Sequence, residues 1–207
     1  MDQKKKTMGA SERHPEARAA FQDQMKQLDA RSLVVLDSGG STIGLTPLYG
    51  WAPKGERAHG SAPRNRGKNT TVIAALTWEG MGPAMTTLGS ANGVANARYV
   101  EEILAPNLVA GQIVILENLG AHKSKKVVEL IEAKGCRLLF LPSYSPDFSP
   151  IEEAFSKLKN ALRRAGARTR EDLQEAICQA LLTVTAQDAQ GRFRHCGYHS
   201  VGSKEVS

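Results

Sequence analysis

Residues 139–159 read LFLPSYSPDFSPIEEAFSKLK and carry, in order, the end of an apolar strand, a proline-stiffened loop and the start of an amphipathic helix. Pro142, Pro146 and Pro150 each fix φ and lack a backbone donor, so no strand or helix runs through 142–149. Ser149 stands where an N-cap belongs and Pro150 at the first helical position, where proline is favoured. Ile151, Ala154, Phe155, Leu158 and Leu162 then recur at helical spacing and predict a helix over 150–164 with one apolar stripe. Glu152 lies near the start of that helix. Ser149-x-x-Glu152 fits a capping box, in which Glu152 merely reaches back to the backbone of Ser149. Glu152 as part of a functional site is the other reading, and this stretch alone leaves both open.

Two apolar runs elsewhere end in a carboxylate: LVVLD at Asp37 and IVILE at Glu117. Ser32–Leu36 is mostly apolar and Ile113–Leu116 wholly so, the signature of strands covered on both faces. The first is expected to stop at Asp37, with Ser38-Gly39-Gly40 as a break. Thr42–Trp51 reads as an irregular strand or bent arm, and 53–68 as a basic, glycine-containing loop. Residues 70–77 and 81–88, on either side of Glu79-Gly80, predict an antiparallel pair. Helices are expected over 15–28, over 96–104 with Pro106 as the stop, over 123–134 with Gly135 as the stop, and onward from a Thr169 cap. A third short buried strand is expected at 137–141, and a loop from His195. Strand–helix–strand units imply parallel pairing with right-handed crossovers. The fold class is therefore α/β, a mixed sheet with helices on both faces. Sites in such sheets gather at the carboxyl ends of strands, where Asp37 and Glu117 both fall.

A hydrophobic content of 41% in 207 residues supports one real core. The net charge of +6 favours an anionic partner, nucleic acid before membrane. Basic residues cluster at Lys54, Arg57, Arg64, Arg66 and Lys68, at Lys123, Lys125 and Lys126, and along 157–164. Cys136, Cys178 and Cys196 form no CxxC or zinc pattern, so a reduced, cytoplasmic protein is expected. No signal peptide or membrane-spanning run is visible.

Three carboxylates in one crevice repel one another unless they share hard divalent cations, Mg²⁺ or Mn²⁺, bound through oxygen. Two such ions roughly 3.5–4 Å apart can activate a water or a DNA 3′-hydroxyl and stabilise the leaving oxygen of a phosphodiester. Surrounding cations would hold the nucleic-acid backbone. Asp37, Glu117 and Glu152 are the candidate metal ligands and catalytic residues. Lys54, Arg57, Arg66, Lys68 and Lys123 are candidate DNA contacts.

Four segments, YGWAPKGER at 49–57, LENLGAHKSKKV at 116–127, LLFLPSYSPDFSPIEEAFSKLKNALR at 138–163 and FRHCGY at 193–198, are similar to the catalytic domain of bacterial insertion-sequence transposases. The resemblance is to the mariner superfamily, of the DDE endonuclease type. Thirty-four residues lie between Glu117 and Glu152, the spacing typical of that superfamily's second and third acids. The resemblance implies an RNase H-like fold with a mixed five-stranded sheet, three strands followed by alternating helices and strands. It implies metal-dependent DNA strand cleavage and strand transfer, with Asp37, Glu117 and Glu152 at the acidic positions. It also places Asn118 and His122 beside the second acid and suggests a homodimer on DNA. The expected catalytic domain is 31–198, after an N-terminal extension at 1–30 and before a tail at 199–207.

The chain departs from the pattern in ways that matter. The family's second acid is aspartate, and here it is Glu117. The family usually has an acid directly after the first aspartate, and here it is Ser38. The N-terminal helix-turn-helix region of full-length members is not found. These departures support an alternative expectation, a catalytically inactive DNA-binding or dimerising remnant of the same fold.

Overall fold

The computed structural model describes residues 13–117 and 124–200. Five strands form one sheet in the order β3-β2-β1-β4-β5. These are β1 (Leu33–Ser41), β2 (Thr70–Thr77), β3 (Gly80–Leu88), β4 (Ile113–Leu116) and β5 (Arg137–Phe140). The first three are antiparallel neighbours, while β4 and β5 run parallel to β1. Helices α2 (Gly93–Tyr99), α3 (Ala105–Asn107) and α4 (Lys125–Glu132) supply the crossovers. Helices α5 (Pro150–Ala165), α6 (Arg170–Leu182) and α7 (Ala186–His195) follow, and α1 (Pro15–Met25) precedes the sheet. This is the mixed five-stranded sheet with helices on both faces that the sequence predicts.

Strand alternation divides the core in two. Leu33, Val35, Ile113 and Ile115 face one cluster, which includes Phe21, Ile151, Phe155, Leu158 and Phe193 from α1, α5 and α7. Val34, Leu36, Val114 and Leu116 face the other, with Tyr99, Leu104, Val127 and Ile131. The central strands are thus buried on both faces, which is why their sequences are apolar throughout.

Several local readings are corrected. β1 does not stop at Asp37 but continues to Ser41, because β2 goes on pairing with it from Asp37↔Ala74 to Ser41↔Thr70 after β4 has ended. The two glycines serve close approach rather than a break. A Cβ on Gly39 would lie 3.4 Å from the Phe155 ring, and one on Gly40 2.6 Å from the Asn69 side chain. Residues 42–51 form no strand. The helix expected at 96–104 starts earlier, at Gly93, where Asn92 Oδ1 accepts from the Ala95 N–H at 2.9 Å. It then runs through a π-helical turn, Val100–Leu104, into α3. Pro106 lies in the last turn of this continuous run, directly after the π-helical turn, and the helix ends one residue later at Asn107. α7 was not legible as a helix, although Thr185 and Asp188 form a capping box at its start.

The end of the described chain is tied into the core. Tyr198 Oη donates to the Phe148 carbonyl at 2.8 Å, both groups buried. Tyr198→Phe leaves that carbonyl without its partner and is expected to lower stability by about 1–2 kcal/mol in urea unfolding. A change below a few tenths would mean the bond adds nothing. Among the described residues, no helix is long and apolar enough to cross a membrane.

Candidate metal centre

Parity along the strands decides where the acids point. Asp37 follows Leu33 and Val35 on the same face of β1, and Glu117 follows Ile113 and Ile115 one residue beyond β4. Each stands one position past the pair Leu36↔Leu116, so the two backbones are neighbours at the sheet edge. Helix α5 lies over that same face, with Ile151, Phe155 and Leu158 in the core beneath it. The Phe155 ring packs against β1 at Gly39, where a Cβ would stand 3.4 Å from it. The first turn of α5 therefore brings Glu152 over Asp37, midway along β1, and over the end of β4.

Carboxylate oxygens of Asp37, Glu117 and Glu152 all lie within 4.8 Å of one another. Asp37 is buried, Glu117 half-buried and Glu152 exposed, so the cluster opens to solvent from the α5 side. Ser149 makes no side-chain cap bond to α5, so the capping-box reading of Glu152 does not hold. The adjacent acid, Glu153, turns instead to Nδ1 of His195 on α7.

Burial pushes the Asp37 carboxyl up to about 7, and repulsion from Glu117 and Glu152 adds to this. The Ser38 N–H, donating to Asp37 Oδ1 at 2.6 Å, and the charge of Lys159 oppose the rise without cancelling it. Glu117 is also raised, by burial first and by Glu152 second. Three oxygen-donor acids with this mutual repulsion fit a hard divalent cation, Mg²⁺ or Mn²⁺, whose charge would relieve it. Softer metals are poorly served, because no cysteine or histidine joins the cluster among the described residues.

Ser38 points to the opposite face of β1 from Asp37, by alternation. An acid at position 38 would thus add nothing directly to this cluster, and that departure leaves the candidate ligand set intact. Lys159 was not singled out from sequence as part of the site. Its signal was its place seven residues after Glu152, two turns along the same side of α5. The candidate DNA contacts Lys54, Arg57, Arg66 and Lys68 are all exposed, on the segment joining β1 to β2. That segment leaves β1 four residues past Asp37, held at its root by Arg168 Nη1 donating to the Ile43 and Leu45 carbonyls at 3.2 and 3.1 Å. Asn118, His122 and Lys123 lie outside the described residues. A cavity of about 330 Å³ adjoins Glu117, walled by Leu141, Pro142, Tyr144 and Pro146.

This fold has counterparts among solved structures. A Mos1 transposase paired-end complex with left transposon end matches over 95% of this chain and 63% of its own, with a TM-score of 0.73 at 16% identity. The Mos1 mariner paired-end complex with Mn matches at a TM-score of 0.70 and 15% identity, covering 95% of this chain and 64% of that one. The catalytic domain of Mos1 mariner transposase matches at 0.62 and 12% identity, over 87% of this chain and 85% of that one. At these identities the likeness is one of fold, and it identifies the sheet as RNase H-like. The chain spans about 63% of the length of the first of these transposases. A search of curated proteins gave no match. The sequence profile described as DDE superfamily endonuclease matches residues 32–174, well over half of the chain, and the chain belongs to that family.

Proposed function

We propose that this chain carries the catalytic domain of a transposase, a divalent-metal-dependent endonuclease that cuts DNA strands and joins their ends in transposition. The mariner-type elements of bacterial insertion sequences are the proposed source of the domain, which spans 31–198. The observation that carries the reading is the meeting of Asp37, Glu117 and Glu152 within 4.8 Å, from three elements far apart in sequence. The similar structures titled as Mos1 complexes with a transposon end and with Mn or Mg support both DNA and metal as partners.

In this reading the three acids hold Mg²⁺ or Mn²⁺. Bound there, the cations supply Lewis-acid activation of a water or 3′-hydroxyl and stabilise the departing oxygen. The chain's own residues do the rest. Asp37, anchored by the Ser38 N–H, fixes the buried side of the ligand set. Lys159 offsets part of its charge. Lys54, Arg57, Arg66, Lys68, Asn118, His122 and Lys123 are proposed to hold the DNA backbone. A homodimer on DNA and a cytoplasmic location complete the proposal.

The direct test is nicking of supercoiled plasmid in Mn²⁺. Nicking should be weak, abolished by chelation and reduced to background by Glu152→Gln. Nicking that survives Glu152→Gln removes the proposal. Retention of duplex DNA should fall steeply between 50 and 200 mM salt, by on the order of 10³-fold or more for about six phosphate contacts. Retention that salt does not change removes the basic surface from the account. One observation favours a second reading, an inactive DNA-binding remnant: Glu117 carries one methylene more than the family's aspartate.

A further inference from the structure

The loop before α5 is held by α1. Arg18 Nη1 donates to Ser145 Oγ at 2.6 Å and to Asp147 Oδ1 at 3.2 Å, and its Nη2 donates to Asp147 Oδ2 at 2.6 Å. The same guanidinium lies 4.3 Å from the centre of the Phe148 ring. Phe21, one turn further along α1, stacks on Phe148 at 5.4 Å. Arg13 adds Nε to the Tyr144 carbonyl at 2.9 Å and Nη2 to Asp147 Oδ1 at 3.1 Å. Tyr144 is the residue that needs such help, since among the described residues it is the one non-glycine with positive φ, at 56°.

These contacts converge on the start of α5, whose first turn is packed into the core through Pro150 and Ile151 but lacks a capping bond of its own. Its N-cap, Ser149, makes no side-chain bond to the helix, and Ser149 Oγ is buried without a partner. The backbone instead passes the constraint along. Phe148 N–H donates to the Ser145 carbonyl, Ser149 N–H to Pro146 and Glu152 N–H to Ser149. A planar, two-pronged Arg–carboxylate contact sets orientation as well as distance. Core packing sets which face of α5 is buried, and without a cap the fine placement of its first turn is left to the loop before it.

We propose that Arg18 and Asp147 form a positioning latch. Through it, α1 sets the first turn of α5 and thereby the placement of Glu152 in the acidic cluster. The latch rests on the reading of that cluster as a metal centre. Arg18 touches neither the acids nor any metal there; it acts through the loop.

The test is a titration of Mn²⁺ followed by the electron paramagnetic resonance of the free ion, on wild type, Arg18→Ala, Asp147→Ala and the double variant. Amide hydrogen exchange over 145–152 is measured alongside. Asp147 is nearly half exposed, so Asp147→Ala leaves the core closed and carries the test should Arg18→Ala unfold. Each single variant should weaken Mn²⁺ binding by about tenfold, the usual scale for losing a group that orients a ligand. The double variant should lose clearly less than the product of the two single losses, since both substitutions remove the Arg18–Asp147 contact. Protection of the 149–152 amides should fall in all three. Affinity within twofold of wild type in a folded variant, or losses that multiply in the double variant, would overturn the latch. Should wild type itself bind no Mn²⁺, the metal-centre reading fails, and hydrogen exchange then judges the latch. Unchanged protection at 149–152 overturns the latch too.

Discussion

Glu117→Asp is expected to raise Mn²⁺-dependent nicking about 10²-fold over wild type. The backbone at position 117 already stands beside Asp37, one step past Leu36↔Leu116, so reach is not what the longer side chain provides. Its extra methylene instead moves the carboxylate by about 1.5 Å along the side chain. Misplacement of about 1 Å at a reacting centre costs on the order of 10²-fold. Glutamate here still brings an oxygen within 4.8 Å of both partners, so the proposed ligand set is complete with it. The expected penalty falls on the alignment of substrate and attacking oxygen more than on metal affinity. A gain in rate with little change in Mn²⁺ affinity would fit that division. Strong wild-type nicking that Glu117→Asp does not improve would end the argument from side-chain length and with it the case for impairment.

The second large effect is on stability without metal. Asp37 ordinarily titrates at 3.8 and is pushed up to about 7 in the fold. Between those values the folded chain holds a proton that the unfolded chain has released. Stability therefore falls as pH rises from about 4 to about 7, and the loss is complete above that window. Three pKa units correspond to about 4 kcal/mol, an upper bound for a site that can relax. Asp37→Asn removes the charge and keeps an oxygen to accept the Ser38 N–H. In urea unfolding with chelator, the variant is expected to be more stable than wild type by about 2–4 kcal/mol at pH 8 and to match it near pH 4. Mn²⁺ should stabilise the wild type and leave the variant nearly unchanged. A variant less stable than wild type at pH 8 would show that the three acids do not strain the fold.

Much of this arrangement was legible in the chain because two strong signals coincided. The apolar runs ending in Asp37 and Glu117 mark central strands, since only strands buried on both faces omit polar residues throughout. The prolines at 142, 146 and 150 mark the loop and helix start, although a short 3-10 turn, Pro146–Phe148, forms where no helix was expected, and Glu152 falls two residues after the last of them. What sequence could not show was convergence. Whether Glu152 caps its helix or faces the sheet depends on how α5 packs across β1, and that is set by its buried stripe of Ile151, Phe155 and Leu158 together with the core of the sheet.

Glycine misled as well. Gly39-Gly40 looks like the end of a strand, yet β2 keeps the ladder intact through it. Pro106 marks the stop to within a residue, since the helical run that passes through the π-helical turn ends at Asn107. α7 was hidden because AQDAQGRFRH carries only Ala189 and Phe193 as buried anchors. Its helix is held by tertiary packing of Phe193 on Trp78 and Tyr198 and by its cap, not by a long apolar stripe. The latch of Arg18 on Asp147 joins residues 129 apart in sequence, which no local pattern reveals.

The most direct test of the shared acidic centre is calorimetric titration of the metal-free chain with Mn²⁺ at pH 8, repeated on Asp37→Asn and Glu152→Gln. Saturable binding by wild type, weakened at least tenfold by either substitution, is the result expected if residues from β1, the end of β4 and α5 ligate together. Wild type that takes up no Mn²⁺, or variants that bind it as tightly as wild type, would contradict it.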